Sequence, residues 1–179
     1  MRRLILTLVV TALTGLGAAT AWAQHSHGGE PGGQRGHGGV QACEAEFEAV
    51  VRDGRGFGMA FTADQTGYPG PLHVLELKER LGLSPEQEAG ARALMHAMFS
   101  ESRPKGAALL EAEARLRTLF ADGAASEAAV RAAAAEVERA RREVRLVHLL
   151  THLKTRDLLT EAQRRIYHEA RWAAPLPAK

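Results

Sequence analysis

Two helix-start signals stand 76 residues apart in this chain, at Ser84-Pro85-Glu86-Gln87 and at Thr160-Glu161-Ala162-Gln163. Each sets a hydroxyl residue three positions ahead of a glutamine. The hydroxyl accepts from a backbone N–H of the first turn, and the glutamine reaches back to the N–H of the hydroxyl residue. Pro85 takes the first helical position, where no N–H is missed. Between the two signals, Asp122-Gly123 ends one long helix and Ser126 caps another running to about Asp157. Val130, Ala133, Val137, Ala140, Val144 and Val147 recur at alternating steps of three and four, a coiled-coil-like seam. The helix opened at Ser84 meets Pro104 and Gly106, where a kink is expected. Ahead of it, Leu72, Leu75 and Leu81 give a short helix ending at Gly82, and the helix opened at Thr160 runs to about Trp172. Nothing reads as a strand. The fold class that follows is all-α: a long antiparallel helical hairpin with a short helix at each end, four helices in all. So thin a structure buries little apolar surface alone, and a homodimer is expected.

The 179 residues leave room for one domain. Glycine divides the chain: 12 of 18 lie in residues 24–70 and only four in residues 71–179. Residues 25–39 read HSHGGEPGGQRGHGG, which has no apolar period, and residues 24–70 are expected to be a flexible Gly/His-rich segment with one short helix at 43–52. The helical domain then covers 71–172 and a tail 173–179. Residues 1–23 carry Arg2-Arg3, an apolar run and Ala21-Trp22-Ala23, the layout of a secretory signal peptide. A 20-residue uncleaved anchor is the alternative reading. Either way the rest works outside the cytoplasm, in the periplasm or anchored at the inner membrane facing it. Removing residues 1–23 leaves 21 basic and 21 acidic residues, a neutral chain that argues against nucleic acid as a partner. Aromatics are 5% of the chain, which argues against a large aromatic-lined substrate cavity. No nucleophile–base pair or paired-carboxylate arrangement stands out, so an enzyme is not expected.

Eight histidines carry the chemistry that remains. His148 and His152 are four apart on one helix, hence one above the other on a single face, and can reach one ion. The zinc-protease motif shares this spacing but needs a Glu after the first His, where this chain has Leu149. The alternative is a solvent-facing pair. In a hairpin turning near Gly123, His96 falls at the level of His148, and His73 on the first short helix folds back towards that open end. Four neutral imidazoles, His73, His96, His148 and His152, suit a tetrahedral Zn²⁺; Cu²⁺, Ni²⁺ and Co²⁺ accept imidazole as well. Met95 and Met98 lie nearby and read as core. His25, His27 and His37 form a separate tract, either a loose metal binder or a linker. His168 reads as surface. Cys43, the single thiol, points to an intermolecular disulfide in an oxidising compartment. Arg139, Arg141, Arg142 and Arg145 are either a basic surface for unfolded chains or a solvated face paired with Glu136, Glu138 and Glu143.

Leu83-Ser84-Pro85-Glu86-Gln87 and Leu159-Thr160-Glu161-Ala162-Gln163 resemble the L-T-x-x-Q motif of the Spy/CpxP family, over about residues 71–172. Within it the chain looks most like periplasmic heavy-metal sensors and resistance proteins of the CnrX and ZraP kind. The resemblance implies that His73 matches the first-helix ligand and His148 the third-helix His, with His152 standing where the sensors have Met. Leu77 replaces a second first-helix His, and the acidic ligand falls at about Met95 or His96; Glu76 is a weak substitute. The sensor branch implies a membrane anti-sigma factor or sensor kinase as partner, and the chaperone branch implies unfolded envelope proteins as clients.

Overall fold

The computed structural model describes residues 35–172, apart from the side chains of residues 35–38 and 40. The expected export segment, His25, His27 and the 173–179 tail lie outside the described residues. Among the described residues there are seven helices and no strand. None of these helices is long and apolar enough to cross a membrane.

The frame is the expected hairpin. Helix α5 (Pro85–Ala121) and helix α6 (Glu127–Leu158) pack along their length in opposite directions. Leu158 lies against Gly90 near the open end, and Lys105 pairs with Glu143 at 3.6 Å midway. Nearer the turn, Arg141 pairs with Glu113 at 2.6 Å. Both halves of the Ser84–Gln87 capping box form, and the Ser126 hydroxyl accepts from Ala129 N–H at 3.2 Å. The α6 seam is buried at Val137, Val144 and Val147. Pro104 sits inside α5, and the helix continues through it to Ala121.

The first expected helix is divided at Leu77 into α3 (Pro71–Glu76) and α4 (Lys78–Leu81). The last, α7 (Glu161–Trp172), ends where expected. The segment expected to be flexible is more ordered than its glycines suggest. Helix α1 (Arg35–Arg52) begins well before residue 43 and includes His37, and helix α2 (Phe61–Gln65) stands in a stretch read as loop. Tertiary burial supplies what local propensity lacks. Val51 is fully buried with Leu109, Ala112, Val137 and Val144, and the Ser102 hydroxyl donates to Gly54 O at 2.6 Å. Burying a side chain such as Leu109 contributes roughly 1.5–3 kcal/mol.

A second cluster, Val74, Leu81, Ala91, Leu159 and Tyr167, gathers α3, α4, α5 and α7 at the open end of the hairpin. There the two motif glutamines meet. Gln87 Nε2 donates to Gln163 Oε1 at 2.9 Å, and Gln163 Nε2 donates to Gln87 Oε1 at 2.9 Å. Each carboxamide oxygen also accepts from the N–H of its own cap residue, Ser84 or Thr160. The two helix starts are therefore one polar lock.

Candidate metal centre

Beside this lock the chain between α1 and α3 folds over α6 and covers the His148–His152 pair. Both rings are buried, at 4% and 9% exposure, which excludes the solvent-facing reading. Gly56 and Gly70 make the cover fit. A Cβ on Gly56 would stand 2.9 Å from His148 Cγ, and one on Gly70 would stand 2.9 Å from His152 Nε2. The rings open on a cavity of about 380 Å³ that also takes in His73, Asp64 and Met98. Met98 is buried, as a core residue should be, and yet contributes a thioether to this wall.

The nitrogens are oriented. His152 Nδ1 lies 2.6 Å from Tyr68 O, which makes Nδ1 the protonated nitrogen and leaves the lone pair on Nε2. His73 Nδ1 lies 2.8 Å from the Glu76 carboxylate, so its Nε2 is likewise the free nitrogen. Metal-binding imidazoles are held in this way, by an oxygen on the nitrogen that does not ligate. His148 Nε2 is buried with no hydrogen-bond partner. An orphaned buried nitrogen costs about 1–3 kcal/mol. Burial pushes the His148 pKa down to about 4, with the neighbouring His152 adding to the effect. Burial also lowers the His152 pKa, partly offset by the Tyr68 carbonyl and the Asp64 charge. Both rings are neutral at pH 7, the form that ligates.

Of the residues singled out in the sequence, His73, His148 and His152 come to one cavity, and Glu76 orients His73 rather than joining the wall. His96 does not come to it. The register set by Gly90 on Leu158 and Lys105 on Glu143 puts it level with His152 rather than His148, and it lies two residues from Met98, about 200° around the helix, and is exposed. His168, read as surface, is buried, with Nε2 3.0 Å from Gln65 O. Asp64, Arg171 and the two glycines carried no signal in the sequence. Phe57, Phe61, Phe99 and Trp172 also line this cavity. Among the described residues, no three His, Cys, Asp or Glu side chains converge into a ready-made metal site. Cys43 is an exposed free thiol on α1. The arginine run is largely paired: Arg139 with Glu136, Arg141 with Glu113, and Arg142 with Glu143 at 3.1 Å, while Arg145 makes no ion pair among the described residues.

The architecture is an all-helical hairpin with two imidazoles buried beneath a glycine-fitted cover. The chain belongs to the heavy-metal resistance family, whose model matches residues 56–165, from the cover to the first turns of α7. No curated protein and no solved structure matches the chain.

Proposed function

We propose that this heavy-metal resistance protein works outside the cytoplasm by binding a divalent transition metal through His148 and His152, with His73 at the cavity mouth. The observation that carries this reading is the state of the three rings. Two have Nδ1 held by oxygen with Nε2 free, and the third has a buried Nε2 without a partner. Neutral nitrogen donors favour Zn²⁺, Cu²⁺, Ni²⁺ or Co²⁺ over hard cations, and the Met98 thioether adds softness. Bound metal would supply the positive charge that the buried nitrogens lack.

Calorimetric titration with Zn²⁺ tests this. His148→Ala with His152→Ala is expected to weaken binding at least a hundredfold. Gly70→Ala probes the same site without touching a ligand. Gly70 has an ordinary extended backbone, φ −83° and ψ 149°, so alanine costs nothing locally, but its methyl would displace the His152 ring. A loss of about tenfold is expected. Binding unchanged in both variants would refute the assignment.

A second reading, an ATP-independent holdase for unfolded envelope proteins, draws on one observation. Leu146, Leu150 and Leu153 are exposed at 41%, 50% and 42% on one stripe of α6, next to Arg142 and Arg145. A mixed basic and apolar face is suited to unfolded clients. In an aggregation assay, Leu150→Ser with Leu153→Ser is expected to halve suppression, and added chelator is expected to leave it unchanged. Absence of suppression by the parent protein removes this reading.

A further inference from the structure

Among the described residues Asp64 is the only buried carboxylate, and it lies in the wall of the imidazole cavity. Its Oδ1 accepts from the Tyr167 hydroxyl, and its Oδ2 faces Arg171 Nε at 3.4 Å. Tyr167, His168, Arg171 and Trp172 form one face of α7, and all four grip α2. Tyr167 and Arg171 hold Asp64, His168 reaches Gln65 O, and the Trp172 ring meets Phe61 edge-on at 5.3 Å. Arg171 also lies 5.7 Å from the Trp172 ring centre and is itself a wall residue.

Resting on the metal-binding reading above, we propose that Asp64 is the anionic ligand of this cavity and Arg171 its stand-in cation, so that a bound metal ion exchanges with Arg171 and loosens the last turn of α7. Charge balance drives the exchange. A divalent ion on neutral imidazoles brings two positive charges into a partly buried space whose only buried counter-charge is Asp64. The guanidinium and the ion cannot share one carboxylate without strong repulsion at low dielectric. Arg171 is the partner that can leave: its side chain is 30% exposed and sits in the final turn of α7, so it can swing into water. Asp64 stays in place because Tyr167 holds Oδ1, which frees Oδ2 for the ion, as hydrogen-bonded carboxylate ligands are commonly held. Because no three donor side chains converge among the described residues and Asp64 stays in place, the exchange requires the imidazoles to turn towards Asp64 as the ion enters.

The full chain has two tryptophans, and Trp22→Phe leaves Trp172 as the sole emitter. In that background Zn²⁺ is titrated by calorimetry and by tryptophan emission. Zn²⁺ is expected to shift Trp172 emission with the same midpoint as the heat. Asp64→Asn, which keeps an acceptor for Tyr167, is expected to weaken Zn²⁺ binding about tenfold or more. Arg171→Gln removes the competing cation and is expected to tighten it about threefold. The opposite signs are the test, because a latch with a purely structural role would make both variants bind more weakly or leave both unchanged. Either of those results overturns the exchange. Should Asp64→Asn fail to fold by circular dichroism, Arg171→Gln decides alone. Zn²⁺ that binds the parent without moving Trp172 emission overturns the exchange and spares the metal reading; Zn²⁺ that does not bind the parent overturns both.

Discussion

Gln163→Glu is expected to lower the unfolding free energy by about 3 kcal/mol. A capping box takes Glu or Gln equally well at this position. If Gln163 served only to cap α7, the substitution would be silent. Its oxygen already does the capping, accepting from Thr160 N–H at 2.9 Å, and a carboxylate keeps that bond. The nitrogen does something else: it donates to Gln87 Oε1 at 2.9 Å and to Leu81 O at 3.3 Å, across the junction of α4, α5 and α7. Glutamate turns that donor into an acceptor facing acceptors and places a charge at a buried position. Urea unfolding with metal chelated reads the loss as a lower midpoint at constant slope. A change below 1 kcal/mol would mean that the two motifs act separately, each on its own helix.

That lock shows what the sequence carries and what it does not. The capping boxes are local, so spacing alone reveals them, and with them the starts of α5 and α7. The α6 seam is local too, and its period survives as a buried stripe. That Gln87 and Gln163 bond to each other is a fact about packing, which no pattern along the chain encodes. The metal residues divide in the same way. His148 and His152 share a helix face by arithmetic, but their burial is decided by the stretch between α1 and α3. That stretch owes its order to contacts with α5, α6 and α7, while its glycines argue locally for disorder. For His96, distance from the turn gives the level along the hairpin; the side of the helix depends on phase, and Met98 rather than His96 is in phase with buried Ala91 and Ser102. Asp64 lies in a five-residue helix, too short for any periodicity to mark its inward face.

Acid is expected to destabilise the metal-free protein by roughly 3 kcal/mol between pH 6.5 and pH 4 through His148 alone. The direction follows from where the proton goes. In the unfolded chain His148 titrates near 6.5; in the fold, burial lowers this to about 4. Between those values the unfolded chain holds the extra proton, so each step towards acid favours unfolding. The contribution is complete above about pH 6.5, falls away as pH drops through the folded value, and levels off below it. His152, whose pKa is also lowered, acts in the same direction. The same shift moves proton competition for metal: burial keeps the His148 lone pair free below pH 6.5, where an ordinary imidazole is already giving way to the proton. His148→Leu fills the space with an apolar side chain that cannot titrate. Urea unfolding in chelator at pH 7, 5.5 and 4 is therefore expected to give a shallower acid slope in the variant, by up to about 1.4 kcal/mol per pH unit. Parallel slopes in parent and variant would show that the ring is solvated in the folded protein, and a solvated ring would not need a metal to satisfy its nitrogen.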